Sequence, residues 1–179
     1  MSDRERFERL LLDAEQGDAE AQYEVGKMYA MGAGVEANQE EAVKWFHKAA
    51  DQDHVIAQHN LGVSYRKGVG VKANDVESVK WYRLSAEQGD FDAQLSLASM
   101  YTDGRGVSKN LTEAFNWCRK SAQQGNPSAQ FYLGRMYVYG YGVNSDLDMA
   151  MEWLRRASEQ GNSEAQSLMD ALLNGIDFS

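Results

Sequence analysis

Apolar and small residues along this chain return at a fixed interval of 36, with polar residues filling the positions between them. Tryptophan falls at Trp45, Trp81, Trp117 and Trp153 and nowhere else. Around that frame run glutamines at Gln22, Gln58, Gln94, Gln130 and Gln166, each preceded by alanine, and tyrosines at Tyr29, Tyr65, Tyr101 and Tyr137. A Gly-x-Gly-Val stretch starts at Gly32, Gly68, Gly104 and Gly140. A period in this range marks an array of units, each burying its apolar face on its neighbours. Positions are called columns below and carry the number of the residue in the first full unit.

Each unit reads as two helices. The first begins after Gly17-Asp18, Gly89-Asp90, Gly125-Asn126 and Gly161-Asn162, or after Asp53-His54 in the second unit, where Asp or Asn accepts from the free backbone amides. Pro127 stands where a missing N–H costs nothing. The second begins at Asn38, Asn74, Asn110 and Asp146, and Glu41, Glu77 and Glu113 complete a capping-box pattern that Ser2 and Glu5 repeat one period earlier. The chain thus opens and closes on half-units, which predicts ten helices. The expected organisation is one domain, 1–179, with a capping helix at 2–14, full units at 15–50, 51–86, 87–122 and 123–158, a half-unit at 159–175 and a tail at 176–179.

At 100° per residue, columns 21, 22, 25, 26, 28 and 29 of the first helix form one packing arc. Gly26, Gly62 and Gly134, with Ala98 in the third unit, cost roughly 1 kcal/mol each in helix propensity and imply close approach of a second helix. In the second helix the Trp, column 46 (Phe46, Tyr82, Cys118, Leu154) and small residues at columns 42, 49 and 50 share one stripe. Acids in its first turn and cations such as Lys48, Arg119 and Arg156 near its end suit the helix dipole.

Composition narrows the function. A net charge of -9 argues against nucleic acid as a partner. Leu10-Leu11-Leu12 is the longest apolar run near the start, far short of a membrane span, and the charged segment from Met1 to Arg9 predicts no cleaved leader. A lone Cys118 predicts a reducing, cytoplasmic setting.

The run Ala57-Gln58-His-Asn-Leu61-Gly62-Val-Ser-Tyr65, then Gly68-Val-Gly70-Val71, then Ser78-Val-Lys-Trp81, resembles the Sel-1-like repeat family, a relative of the tetratricopeptide repeats. The resemblance implies an all-α, right-handed solenoid of antiparallel helix pairs whose first helices line a concave face. It implies an adaptor or scaffold for other proteins. A secreted, cysteine-rich branch of that family is linked to penicillin-like compounds; the cysteine pairs are missing here, which speaks against secretion and lactam chemistry. Asp170 and Leu173 replace Gly and Tyr near the end, and Arg9 replaces Trp near the start, as capping units with a wet outer face would have them.

Candidate chemistry is sparse. The glycine loops follow helices instead of strands and read as turns, not phosphate cradles. The Trp column reads as core. His47, His54 and His59 have no helical spacing for a metal, and His47, sharing its column with Arg83, Arg119 and Arg155, reads as solvated. Cys118 reads as a buried apolar residue, and no motif frames a serine nucleophile. No catalytic residue, metal or cofactor is expected.

Function concentrates in the variable arc of the first helices. Tyr23, Lys27, Met31, His59, Arg66, Lys67, Leu95, Phe131, Arg135 and Tyr139 are its candidate partner-binding residues. Aromatic and cationic anchors on an acidic chain point to a protein segment carrying acidic and apolar side chains. Alternatives are an immunity or regulatory protein blocking one enzyme, and lactam or peptidoglycan-fragment binding or hydrolysis. The chain is expected to be a monomer or a weak end-to-end oligomer.

Overall fold

A computed structural model describes residues 2–174, so the tail expected at 176–179 lies outside the described residues. The described residues form ten helices: α1 (Asp3–Glu15), α2 (Ala19–Met31), α3 (Gln39–Ala50), α4 (Val55–Lys67), α5 (Asp75–Glu87), α6 (Phe91–Asp103), α7 (Leu111–Gln123), α8 (Pro127–Tyr139), α9 (Leu147–Glu159) and α10 (Ser163–Leu173). They fall into two compact units, Met1–Asp90 with α1 to α5 and Phe91–Ser179 with α6 to α10. Inside each, every helix packs on its neighbours in sequence, so a stack of helix pairs results.

Local chemistry sets the ends. The side chains of Asp18, Asn126 and Asn162 accept from the amides of Ala21, Ala129 and Ala165 at 2.7, 3.0 and 2.9 Å. In the second repeat the cap is His54, whose Nδ1 accepts from Ala57 at 3.2 Å, while Asp53 takes the left-handed φ of 62° that glycine holds elsewhere. The capping boxes expected at Asn38, Asn74 and Asn110 are only half made. Each asparagine accepts from the helix, but its own backbone N–H already donates to the carbonyl of Tyr29, Tyr65 or Tyr101 at 2.9 Å. A glutamate returning to that N–H would find it taken. Among the described residues, Ser2 and Glu5 at the start of α1 close the reciprocal box.

The two loop glycines have separate tasks. Gly32, Gly68 and Gly140 end their helices at φ of 71°, 70° and 69°. Gly34, Gly70 and Gly142 press on the backbone of Asp3, Gln39 and Leu111 at the start of the previous second helix, where a Cβ would overlap a carbonyl oxygen.

Helix pairs meet through matched sizes. A Cβ on Gly26 would lie 2.7 Å from the Phe46 ring, on Gly62 2.5 Å from Tyr82, and on Gly134 2.7 Å from Leu154. All four tryptophans are buried, with Lys48, Lys120 and Arg156 over Trp45, Trp117 and Trp153 at 3.5, 4.0 and 4.6 Å from the ring centres. In the second repeat Leu84 holds that column, and Lys80 approaches Trp81 at 5.0 Å instead.

Buried glutamines join one pair to the next. Gln22, Gln58 and Gln130 donate through Nε2 to the carbonyls of Ala14, Ala50 and Ala122 at the ends of α1, α3 and α7, at 3.1, 3.2 and 3.3 Å. Their Oε1 atoms accept from Gln52, Gln88 and Gln160, each at 2.8 Å. Gln58→Ala should therefore cost about 1–3 kcal/mol in urea unfolding, since it leaves the Ala50 carbonyl with the Asp53 amide alone and takes from Gln88 its acceptor. Gln166→Ala, in the same column but exposed, should stay within about 0.5 kcal/mol; equal losses would deny the buried glutamines their special part.

Candidate functional site

The outward arc is divided between the two units. In the first, α2 supplies Tyr23, Lys27 and Met31, and α4 supplies His59, Arg66 and Lys67. Met31, 66% exposed, and Lys67 face solvent, while the other four are half-buried. Tyr23 stacks on His54 with ring centres 4.6 Å apart and lies 6.0 Å from Phe46, and burial raises its phenol pKa. Lys27 pairs with Glu24, whose hydrogen bond raises the ammonium pKa, and the same carboxylate takes Arg6 at 2.7 Å. His59 lies 5.7 Å from the Tyr82 ring, and Arg66 lies 5.9 Å from that same ring.

In the second unit Leu95 is half-buried on α6, and α8 supplies Phe131, Arg135 and Tyr139. Phe131 is only 7% exposed and belongs to a core cluster with Leu154, Ala157 and Ala165. Its expected place on the outward arc is corrected: column 23 lies at the edge where α9 and α10 close over α8, and a large ring there is drawn inside. Arg135 sits 5.6 Å from the Phe131 ring and 6.0 Å from Tyr132. Tyr139 stacks on Tyr141 at 5.4 Å. Tyr132 and Tyr141, each 45% exposed, are the outward aromatics that column reasoning passed over. The signal for Tyr132 was a ring in a column held by Glu24, Asn60 and Ser96 in the other full repeats and by Leu168 in the last half-repeat.

His47 is not the solvated residue its column suggested. Its Nε2 lies 3.1 Å from the Tyr65 hydroxyl, and its ring meets Tyr65 and Trp81 edge-on at 5.9 and 5.3 Å. Burial lowers its pKa, with Lys80 adding to the effect and Asp51 and Glu77 opposing it. His54 caps α4 and reaches Glu20 at 3.1 Å. Cys118 donates to the Ala129 carbonyl at 3.4 Å, and burial pushes its thiol up to about 12, so it stays protonated. Among the described residues, no group of three His, Cys, Asp or Glu is placed to hold a metal ion, and no helix is long and apolar enough to cross a membrane.

Two measurements test this geometry. Phe131→Ala should cost about 3–5 kcal/mol as a core deletion, against about 0.5 kcal/mol for Tyr132→Ala; the reverse order would restore Phe131 to the surface. For His47, the unfolded chain binds the proton more tightly than the folded one, so the stability is whole above the ordinary histidine value of about 6.5 and is lost as pH falls through it towards the lowered folded value. His47→Phe should flatten the urea-melt dependence between about pH 7.5 and about pH 5, and an unchanged slope would assign it to another group.

Residues 19–54, 55–90, 91–126 and 127–162 match the Sel1 repeat family. A protective antigen present in uropathogenic Escherichia coli strains, displaying an SLR fold, is 35% identical with a TM-score of 0.94, over 98% of this chain and 38% of that one. A Sel1 repeat protein from Oxalobacter formigenes is 33% identical with a TM-score of 0.85, over 96% of this chain and 68% of that one. A sel1-like repeat-containing protein of Acanthamoeba polyphaga mimivirus is 43% identical over 47 residues, 26% of this chain and 8% of the viral protein. The chain therefore spans a minor part of the Escherichia coli and viral relatives.

Proposed function

We propose that this chain, which belongs to the Sel1 repeat family, is a non-enzymatic scaffold that binds a protein segment on the outward faces of its first helices. Repeats of this family generally mediate protein binding. The observation that carries the reading is the character of those faces in a chain of net charge -9. In the first compact unit they present Met31, Arg66 and Lys67, and in the second Tyr132 and Arg135, with Tyr141 just past α8, so in each of the two cations and exposed apolar groups stand where the helices do not pack. Such groups anchor interfaces because rings bury much area at little entropic cost and arginine offers a fork of donors.

The partner segment is then acidic and apolar. Catalysis finds little support, since the one thiol is buried and held protonated. Cytoplasmic residence suits that free thiol.

A bait carrying Arg66→Glu, Lys67→Glu, Tyr132→Ser and Arg135→Glu should lose its stoichiometric protein partner by about tenfold or more, a change of about 1.4 kcal/mol, while its helical circular dichroism is unchanged. A second bait with Lys44→Glu and Arg155→Glu, on the second helices, should retain the partner. Retention by both would sink the assignment of the face.

A further inference from the structure

Columns 24 and 27 lie three residues apart on the first helix and share one face. In α2 they are Glu24 and Lys27, an ion pair that Arg6 joins at 2.7 Å. In α4 they are Asn60 and Val63, and in α6 Ser96 and Ser99, so neither helix carries charge at the pair. In α8 the cation returns as Arg135 without its acid: the partner position is Tyr132.

The consequences are visible around Arg135. No Asp or Glu occurs anywhere in α8, and Arg135 forms no ion pair with any described residue. Its guanidinium instead lies 6.0 Å from the Tyr132 ring and 5.6 Å from that of Phe131. A ring face steadies a cation but takes none of its five N–H donors, whose planar fork matches a carboxylate. Tyr132 is 45% exposed, and the stacked Tyr139 and Tyr141 add apolar surface one to two turns further on.

From this internal comparison we infer that Tyr132 and Arg135 form a subsite for a glutamate side chain of the partner segment. The partner's carboxylate takes the role that Glu24 plays within α2, and an adjacent apolar side chain lies against the tyrosines. A side chain is chosen over a chain terminus because the missing group, by comparison with α2, is a side-chain carboxylate. The inference rests on the scaffold reading and narrows it to one contact in the second unit.

The test uses the full chain, labelled with nitrogen-15, and three peptides: acetyl-Leu-Glu-Phe-amide, acetyl-Leu-Gln-Phe-amide and acetyl-Leu-Gln-Phe with a free terminal carboxylate. The glutamate peptide should shift the Arg135 Nε–H signal and the amides around it saturably, about tenfold more tightly than the capped glutamine peptide. Tyr132→Glu rebuilds the α2 pair inside α8, and with Arg135→Gln it should weaken that binding by a similar factor while the rest of the spectrum stays in place. Binding of the free-acid peptide alone would make this a terminus reader, and equal binding of both capped peptides or no shift at all would remove the subsite. Any of these results with partner capture still sensitive to the four-residue bait overturns the subsite alone, whereas an insensitive bait overturns the assignment of the binding face on which the subsite rests.

Discussion

The rest of the structure depends on a buried carboxamide that must be satisfied on both sides. A primary amide taken out of water without partners costs a few kcal/mol, so a column of such groups exists only where each finds a donor and an acceptor. Gln58 donates back to the last carbonyl of α3 and accepts forward from Gln88 just past α5. Gln22 and Gln130 repeat both bonds. One side chain thus ties a first helix to the second helices on either side, and it fixes rotation as well as distance. Turning the helix by one residue would swing the amide through about 100°, away from both partners. The outward arc is therefore set from inside. Gln166, on the last described helix, is exposed and turns to Ser158 and Asp170 instead.

Once rotation is fixed, size must follow. Column 26 faces column 46, and the three glycines there oppose Phe46, Tyr82 and Leu154. The third pair departs on both sides at once, with Ala98 in the glycine column and Cys118, the smallest of its column, opposite. A methyl gained on one helix accompanies volume lost on the other, as dense packing requires. This gives the lone cysteine a structural reason for its place, and its raised thiol pKa is the by-product of the burial.

Most of this was legible in the sequence because a repeat is its own alignment. Helix count, the packing stripes, the glycine turns and the tryptophan core follow from columns alone. What the columns hid were contacts between helices. His47 looked solvated because its column is otherwise arginine, yet Tyr65 and Trp81, 18 and 34 residues away, close on it. Phe131 looked outward because a helical wheel gives an angle about one axis and not the depth to which neighbouring helices reach. The half-made capping boxes failed for the same reason: the amide that glutamate would have bonded belongs to a tyrosine carbonyl of the preceding helix.

The same logic turns departures from the pattern into the informative residues. Where a column is held by packing, its occupant follows from its opposite, and Ala98 with Cys118 requires no further reason. Tyr132 is different, because nothing inside the second unit calls for a half-exposed ring where α2 has a charged partner. Net charge conceals this. The average of -9 is built largely from acids at helix starts, which the dipoles favour, whereas α8 carries no acid and one arginine. An acidic chain that withholds every carboxylate from α8, as it also does from α4, leaves that outward face selective for carboxylates arriving from elsewhere, since its own acids compete at longer range and through water.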